Sequence, residues 1–169
     1  MAVRRNRERG QSLVEFAIIY SAIIIPLTFA LIFTAQMMWV WNSAVEWTRN
    51  GARYAATHCY QGGAGNVIEF MRNNVPLTFD IEQFRQGPAE VQVRYWGRNA
   101  ETGGLEEFSC ASDCSTECVP DAVTVRITNY EFRAFQGYLG LPPIPIPAFD
   151  TTVPIESAGC DPEQGSCLP

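Results

Sequence analysis

"RERGQSLVEFAIIY", residues 7 to 20, decides how the rest of the chain is read. It sets a basic tip and a glycine against a lone glutamate, then opens an apolar run. Arg4, Arg5, Arg7 and Arg9 face only Glu8 in the first ten residues. Between Glu15 and Glu46 nothing ionises in the ordinary pH range except a tyrosine. A bilayer core of about 30 Å needs only ~20 helical residues, so the run can cross with residues to spare. Its early part is aliphatic, with Ile18, Ile19 and Ile23 to Ile25. Its far end carries Trp39, Trp41 and Trp47, as an interfacial aromatic belt does. Arginines before the span keep the N-terminus inside, so the rest of the chain, from about residue 42, faces outward.

The charge is lopsided. The net charge is −6 over 169 residues, and all twelve cations are arginine. From Glu46 onward eight arginines stand against sixteen acids. An acidic distal part gives phosphate no basic face, so no nucleic-acid partner is expected. The length allows one modest domain plus an appendage. Cys59, Cys110, Cys114, Cys118, Cys160 and Cys167 all follow the apolar run. An even count in an exported segment reads as a disulfide framework, and spacing alone does not choose the pairing. "CASDCSTEC" (110 to 118) also puts three cysteines at intervals of four, which with His58 or Cys59 could imitate a zinc site. Structural zinc usually shows paired knuckles and a regularly spaced fourth ligand, so bridges are the stronger reading and neither metal nor cofactor is expected.

Residues 12 to about 57 read as one helix of about 70 Å at 1.5 Å per residue. Pro26 removes a backbone donor and should kink or loosen it. Beyond the span, Ala44, Trp47, Gly51, Ala52, Ala55 and Ala56 recur near helical spacing. Small residues on such a stripe let another backbone or a sheet come close. "QGGAG" (61 to 65) breaks the helix, and 66 to 74 suit a short second one with Asn66 as N-cap. Val91, Val93 and Tyr95 alternate with Gln92, Arg94 and Trp96, which is strand period. Val123, Val125 and Ile127 repeat the pattern after a polar excursion from Gly97 to Pro120. The two strands can pair antiparallel with that excursion as their loop. Residues 132 to 140 suit a helical turn, "LPPIPIPAF" (141 to 149) an extended path, and "AFDTTVPIE" (148 to 156) a third strand with Pro154 at an edge or end. The fold class is α+β. A long N-terminal transmembrane helix precedes a small disulfide-containing head with a few-stranded antiparallel sheet.

Gly10 followed by Gln11-Ser12-Leu13-Val14-Glu15 before an apolar helix resembles the class III, prepilin-type signal. "EWTRNGARYAA" (46 to 56) resembles the R-x-GARYAA motif of TadE-like proteins, the minor pilins or pseudopilins of tight-adherence secretion systems. "RGQSLVEFA" (9 to 17) is similar to that family's start, and "VTVRITNYEF" and "TTVPIES" resemble its later strands more loosely. The resemblance implies cleavage after Gly10 by a prepilin peptidase, leaving Gln11 as the new N-terminus. It implies three parts: a leader (1 to 10), a membrane and assembly helix (11 to 60) and an extracytoplasmic head (61 to 169). It also implies that Glu15 meets the free amine of a neighbouring subunit, with Gly51, Ala52, Ala55 and Ala56 as further assembly residues. The partners implied are other pilin or pseudopilin subunits, the peptidase and the bacterial inner membrane, and after assembly an extracellular pilus. The cysteine-rich excursion departs from the family's simplest members.

No catalytic residue is expected. His58 is the lone histidine and suits a helix C-terminus. No G-x-S-x-G, H-E-x-x-H or Walker-type loop occurs, and Glu106, Glu107, Asp113 and Glu117 read as a solvated loop. Two rivals differ in kind. One is a signal-anchored extracytoplasmic binding domain that never assembles; the other is an exported redox or metal protein using the cysteines.

Overall fold

The computed structural model describes residues 3–133, 140, 142–161 and 163–167. Helix α1 (Val3–Ile19) leads into a π-helical turn, Tyr20–Ile24, and then α2 (Ile25–Thr57). The turn is the loosening expected at Pro26. Proline has no N–H to offer one turn back, and just before it the Ile25 N–H reaches five residues back, to the Tyr20 carbonyl. Three aliphatic hydroxyls in this apolar stretch are satisfied along the helix itself. Ser21 Oγ donates to Ala17 O, Thr28 Oγ1 to Ile24 O and Thr34 Oγ1 to Ala30 O, each at 2.8 Å. A helix without water beside it needs that arrangement.

Packing divides the chain into two units, Met1–Trp39 and Val40–Pro169. The first holds helix. In the second, the distal part of α2 buries Val40, Ala44, Trp47, Thr48, Gly51, Ala52 and Ala55, a single stripe at helical spacing.

Helices α3 (Gly65–Asn73) and α4 (Ile81–Arg85) come next, then β1 (Glu90–Arg98), β2 (Leu105–Glu107) and β3 (Ala122–Thr128). After these follow β4 (Glu131–Phe132), β5 (Ile144–Pro145), β6 (Phe149–Pro154), β7 (Cys160–Asp161) and β8 (Ser166–Cys167). The main sheet runs β2-β1-β3-β6, antiparallel throughout. β1 and β3 pair as their alternation requires, from Glu90 opposite Thr128 to Trp96 opposite Ala122. Val123, Val125 and Ile127 are buried, as expected. β6 is an edge strand ending at Pro154, where a missing donor costs no ladder bond.

Several local expectations change. The excursion after Gly97 is not all loop: Leu105–Glu107 turns back to pair with Trp96–Arg98. Asn99 makes this possible, its Oδ1 accepting the N–H groups of Glu101 and Thr102 in a tight turn. The cap of α3 is Ala64, held at φ 48°, rather than Asn66. Asn66 lies in the first turn and takes the Val67 N–H at 2.8 Å. The helical turn expected over 132 to 140 gives way at Phe132 to β4, and residues 134–139 lie outside the described ones. Within the proline-rich path Ile144–Pro145 forms β5, Ile144 pairing with Phe132, and Leu141 lies outside the described residues.

Trp47 of α2 anchors an aromatic cluster, 5.4 Å from Phe79 and 5.0 Å from Phe84. Tyr130 packs on both phenylalanines, and its hydroxyl oxygen accepts the Asp80 N–H at 3.1 Å. Asp80 caps α4. One helical turn on, the buried Gln83 acts as a strand would towards Glu131. Its Nε2 donates to Glu131 O at 2.8 Å and its Oε1 accepts the Glu131 N–H at 2.9 Å. Gln83→Leu leaves both backbone groups unpaired in a dry site and is expected to destabilise the chain by about 2–3 kcal/mol, measured by denaturant unfolding.

Candidate functional site

The N-terminal helix presents the first candidate. Gly10, Gln11 and Glu15 are exposed on α1. Gln11 Nε2 donates to Glu15 Oε1 at 3.4 Å, one turn apart, and this is the only partner of Glu15 among the described residues. Around that carboxylate, Leu13, Val14, Phe16, Ile18 and Ile19 are each more than half exposed. The exposure continues through Ile23, Leu27, Phe29 and Leu31 to Trp39. Gly10–Thr57 is, among the described residues, the one helical stretch long and apolar enough to cross a membrane, and its most apolar part is not buried within the chain. Water is a poor neighbour for so long an apolar surface. By length, composition and exposure this helix is a membrane anchor.

The small-residue stripe has another destination. Gly51, Ala52 and Ala55 are buried inside their own unit, and Ala56 is half-buried. A Cβ placed on Gly51 would sit 2.5 Å from Met71 Sδ of α3, and Met71 is itself fully buried. Beside it, Thr48 Oγ1 bonds Thr151 Oγ1 of β6 at 2.9 Å, and Trp41 meets Phe149 edge-on at 4.6 Å. The close approach expected of the stripe therefore occurs within the chain. Gly51→Leu overpacks this contact and is expected to cost about 1–3 kcal/mol of head stability. Denaturation of unassembled protein checks it, since a purely intersubunit glycine would leave that value unchanged.

The cysteines are paired as Cys59–Cys114, Cys110–Cys118 and Cys160–Cys167. The last pair closes the tail on itself through β7 and β8, and does not tie it to the loop. All six sulfurs lie in bridges, so none is a free thiol here. His58 ends α2. Its Nδ1 lies 2.8 Å from Tyr54 O and its ring stacks on Tyr54, which stacks in turn on Phe70. It closes a helix end, and among the described residues it forms no ion pair with a carboxylate.

The opposite face of the sheet forms a shallow depression of about 390 Å³ around Arg94, Trp96, Arg126 and Asp150. Trp96 Nε1 donates to Thr124 Oγ1 at 2.7 Å, Thr124 bonds Thr152 at 2.8 Å, and Arg126 pairs with Asp150 at 3.6 Å. The strand alternation set Arg94 and Trp96 between the apolar positions of β1. It did not show that Trp96–Thr124–Thr152 and Arg126–Asp150 tie three strands together. Trp96, Thr124 and Thr152 pair with one another, as do Arg126 and Asp150, and no nucleophile–base pair arises among them.

Tyr95 points into the core, and its hydroxyl finds no partner there. Burial first, and Tyr60 beside it second, push its pKa up to about 12. The unfolded phenol titrates near 10. Between those two values the native chain keeps a proton that the unfolded chain has lost. Stability is therefore fully present below about pH 10 and falls as pH rises towards about 12, by about 1.4 kcal/mol per unit at most. Tyr95→Phe should abolish this part of the alkaline slope in unfolding measured across that window. At neutral pH it should raise stability by about 1 kcal/mol, because an unpaired buried hydroxyl is removed.

Residues 10–53 match the family model described as TadE-like protein. The chain thus carries a TadE-like segment, running from Gly10 through the span and into the small-residue stripe. No curated protein and no solved structure matches the chain.

Proposed function

We propose that this chain is a TadE-like pilin or pseudopilin with a structural, non-catalytic role. A prepilin peptidase removes residues 1 to 10 as a leader. The helix from Gln11 to about residue 60 then holds the protein in the bacterial inner membrane and packs into a pilus- or secretion-type assembly with other such subunits. The part from 61 to 169 is an extracytoplasmic head, carried out of the cell where a pilus forms. Three disulfides support an oxidising compartment for the head, and the arginine-rich leader supports a cytoplasmic start.

The observation that carries this reading is a carboxylate, Glu15, near the start of an exposed apolar helical stretch that begins at Gly10, where the family match begins. Lipid alone can cover Leu13, Phe16 and Ile19, but it gives a carboxylate nothing to pair with. The amine of Gln11 on an adjacent subunit does. Gly51, Ala52 and Ala55 contribute to assembly indirectly, by seating the distal helix in the head it must carry. Gly10 contributes at the leader, where glycine weakens the helix by about 1 kcal/mol and so eases the unwinding a peptidase needs.

Intact mass of the membrane-extracted protein, with and without the peptidase, tests the reading. Loss of Met1 through Gly10 only when the peptidase is present is expected. An unchanged mass in functional material would defeat it.

A further inference from the structure

We propose that Gln11, once it becomes the N-terminal residue, is a cyclisation site that closes in the unassembled subunit and is protected in the assembled one. The inference rests on cleavage after Gly10 and goes beyond it. In the precursor the Gln11 nitrogen belongs to a peptide bond and is not nucleophilic. Cleavage turns it into an amine within five-membered-ring reach of its own side-chain carbonyl. The nitrogen attacks Cδ and a C–N bond forms. The Cδ–Nε2 bond breaks, a proton passes from the attacking nitrogen to Nε2, and ammonia leaves. No oxidant, reductant or co-reactant is needed.

The surroundings of Gln11 leave this path open. The residue is exposed, and among the described residues its side chain is held only by the 3.4 Å contact of Nε2 with Glu15 Oε1, a long and solvent-facing hydrogen bond. The leaving nitrogen is thus the atom that already touches Glu15. The attacking form is the uncharged amine, whose nitrogen carries a free lone pair. In an assembly, a neighbour's Glu15 holds the same amine as an ammonium, which has no lone pair to offer. The lactam is neutral, and a subunit that has closed brings no cation to the next Glu15. Cyclisation therefore withdraws idle subunits from the pool that can assemble.

The test uses the full chain made together with its peptidase. Processed subunits extracted into detergent and subunits in intact assemblies are incubated side by side at neutral pH, and their N-terminal peptides are weighed. The expected result is a loss of one ammonia from Gln11 that is severalfold more frequent in the extracted subunits, and no such loss in processed Gln11→Ala. Retention of the free amine equally in both samples would overturn the proposal while leaving the cleavage intact. Equal lactam content in both would overturn the protection. Peptides that still begin at Met1 would overturn the proposal and the cleavage together.

Discussion

Replacing Cys59 and Cys114 together by serine lowers the stability of the head by about 4 kcal/mol, on the chain-entropy account of a bridge between residues 55 apart. That is a large share of the roughly 5–15 kcal/mol by which domains are stable. The same account assigns about 2 kcal/mol to Cys160–Cys167, whose members are only 7 apart. Local structure agrees with the ranking. Cys59 is fully buried just past the end of α2, and Cys114 N–H donates to Tyr60 O at 3.0 Å. Asp113 accepts the Gly62 N–H at 2.9 Å, so the loop is clasped on both sides of the bridge. Tyr60 in turn packs edge-on against Tyr95 and Phe108, at 5.0 Å each. Denaturant unfolding of the oxidised full chain in detergent, followed by tryptophan fluorescence, reads the effect. A shift no larger than that of the Cys160 and Cys167 pair would mean that the long bridge is not the principal clasp.

Glu15→Ala leaves membrane insertion intact and reduces incorporation into the assembly on the order of a hundredfold. At about 4 Å and an effective dielectric of about 20, a carboxylate and an ammonium attract by about 4 kcal/mol before desolvation is subtracted. Taking away one partner leaves the other charge alone among apolar helices, which costs about 3–5 kcal/mol. Glu15 is exposed, and among the described residues its one hydrogen-bond partner is Gln11, so the substitution leaves the subunit's core untouched. Carbonate extraction checks insertion, and the ratio of assembled to membrane-bound protein checks incorporation. Unchanged incorporation would remove the pairing role.

The helix and the central strands were legible in the sequence because their signals are local and long. Thirty uncharged residues allow few alternatives, and Val123, Val125 and Ile127 can face one core only by alternating. β2 escaped notice because Leu105 is its only apolar residue and all three of its positions are exposed. α4 is five residues long, and its signal was the Asp80-to-Gln83 spacing of a capping box, present but unread. The pairing of Gln83 with Glu131 spans 48 residues and leaves no periodic trace. Gly51 shows a different limit. Its spacing showed that something would come close, but the same spacing serves a neighbouring subunit or, as here, Met71 of the same chain. The cysteine pairing likewise depends on where three loops end, which spacing does not encode.

One measurement bears most directly on the pairing of Glu15 with a neighbour's amine. Native assemblies built from an isotopically mixed pool of subunits are treated with a zero-length carbodiimide, and the linked peptides are weighed. An amide joining the Gln11 α-nitrogen of one isotopic form to the Glu15 carboxyl of the other is the expected product. Intact assemblies whose only Glu15 linkages lie within single chains, or whose N-terminal peptides still carry Arg9 and Gly10, would contradict it.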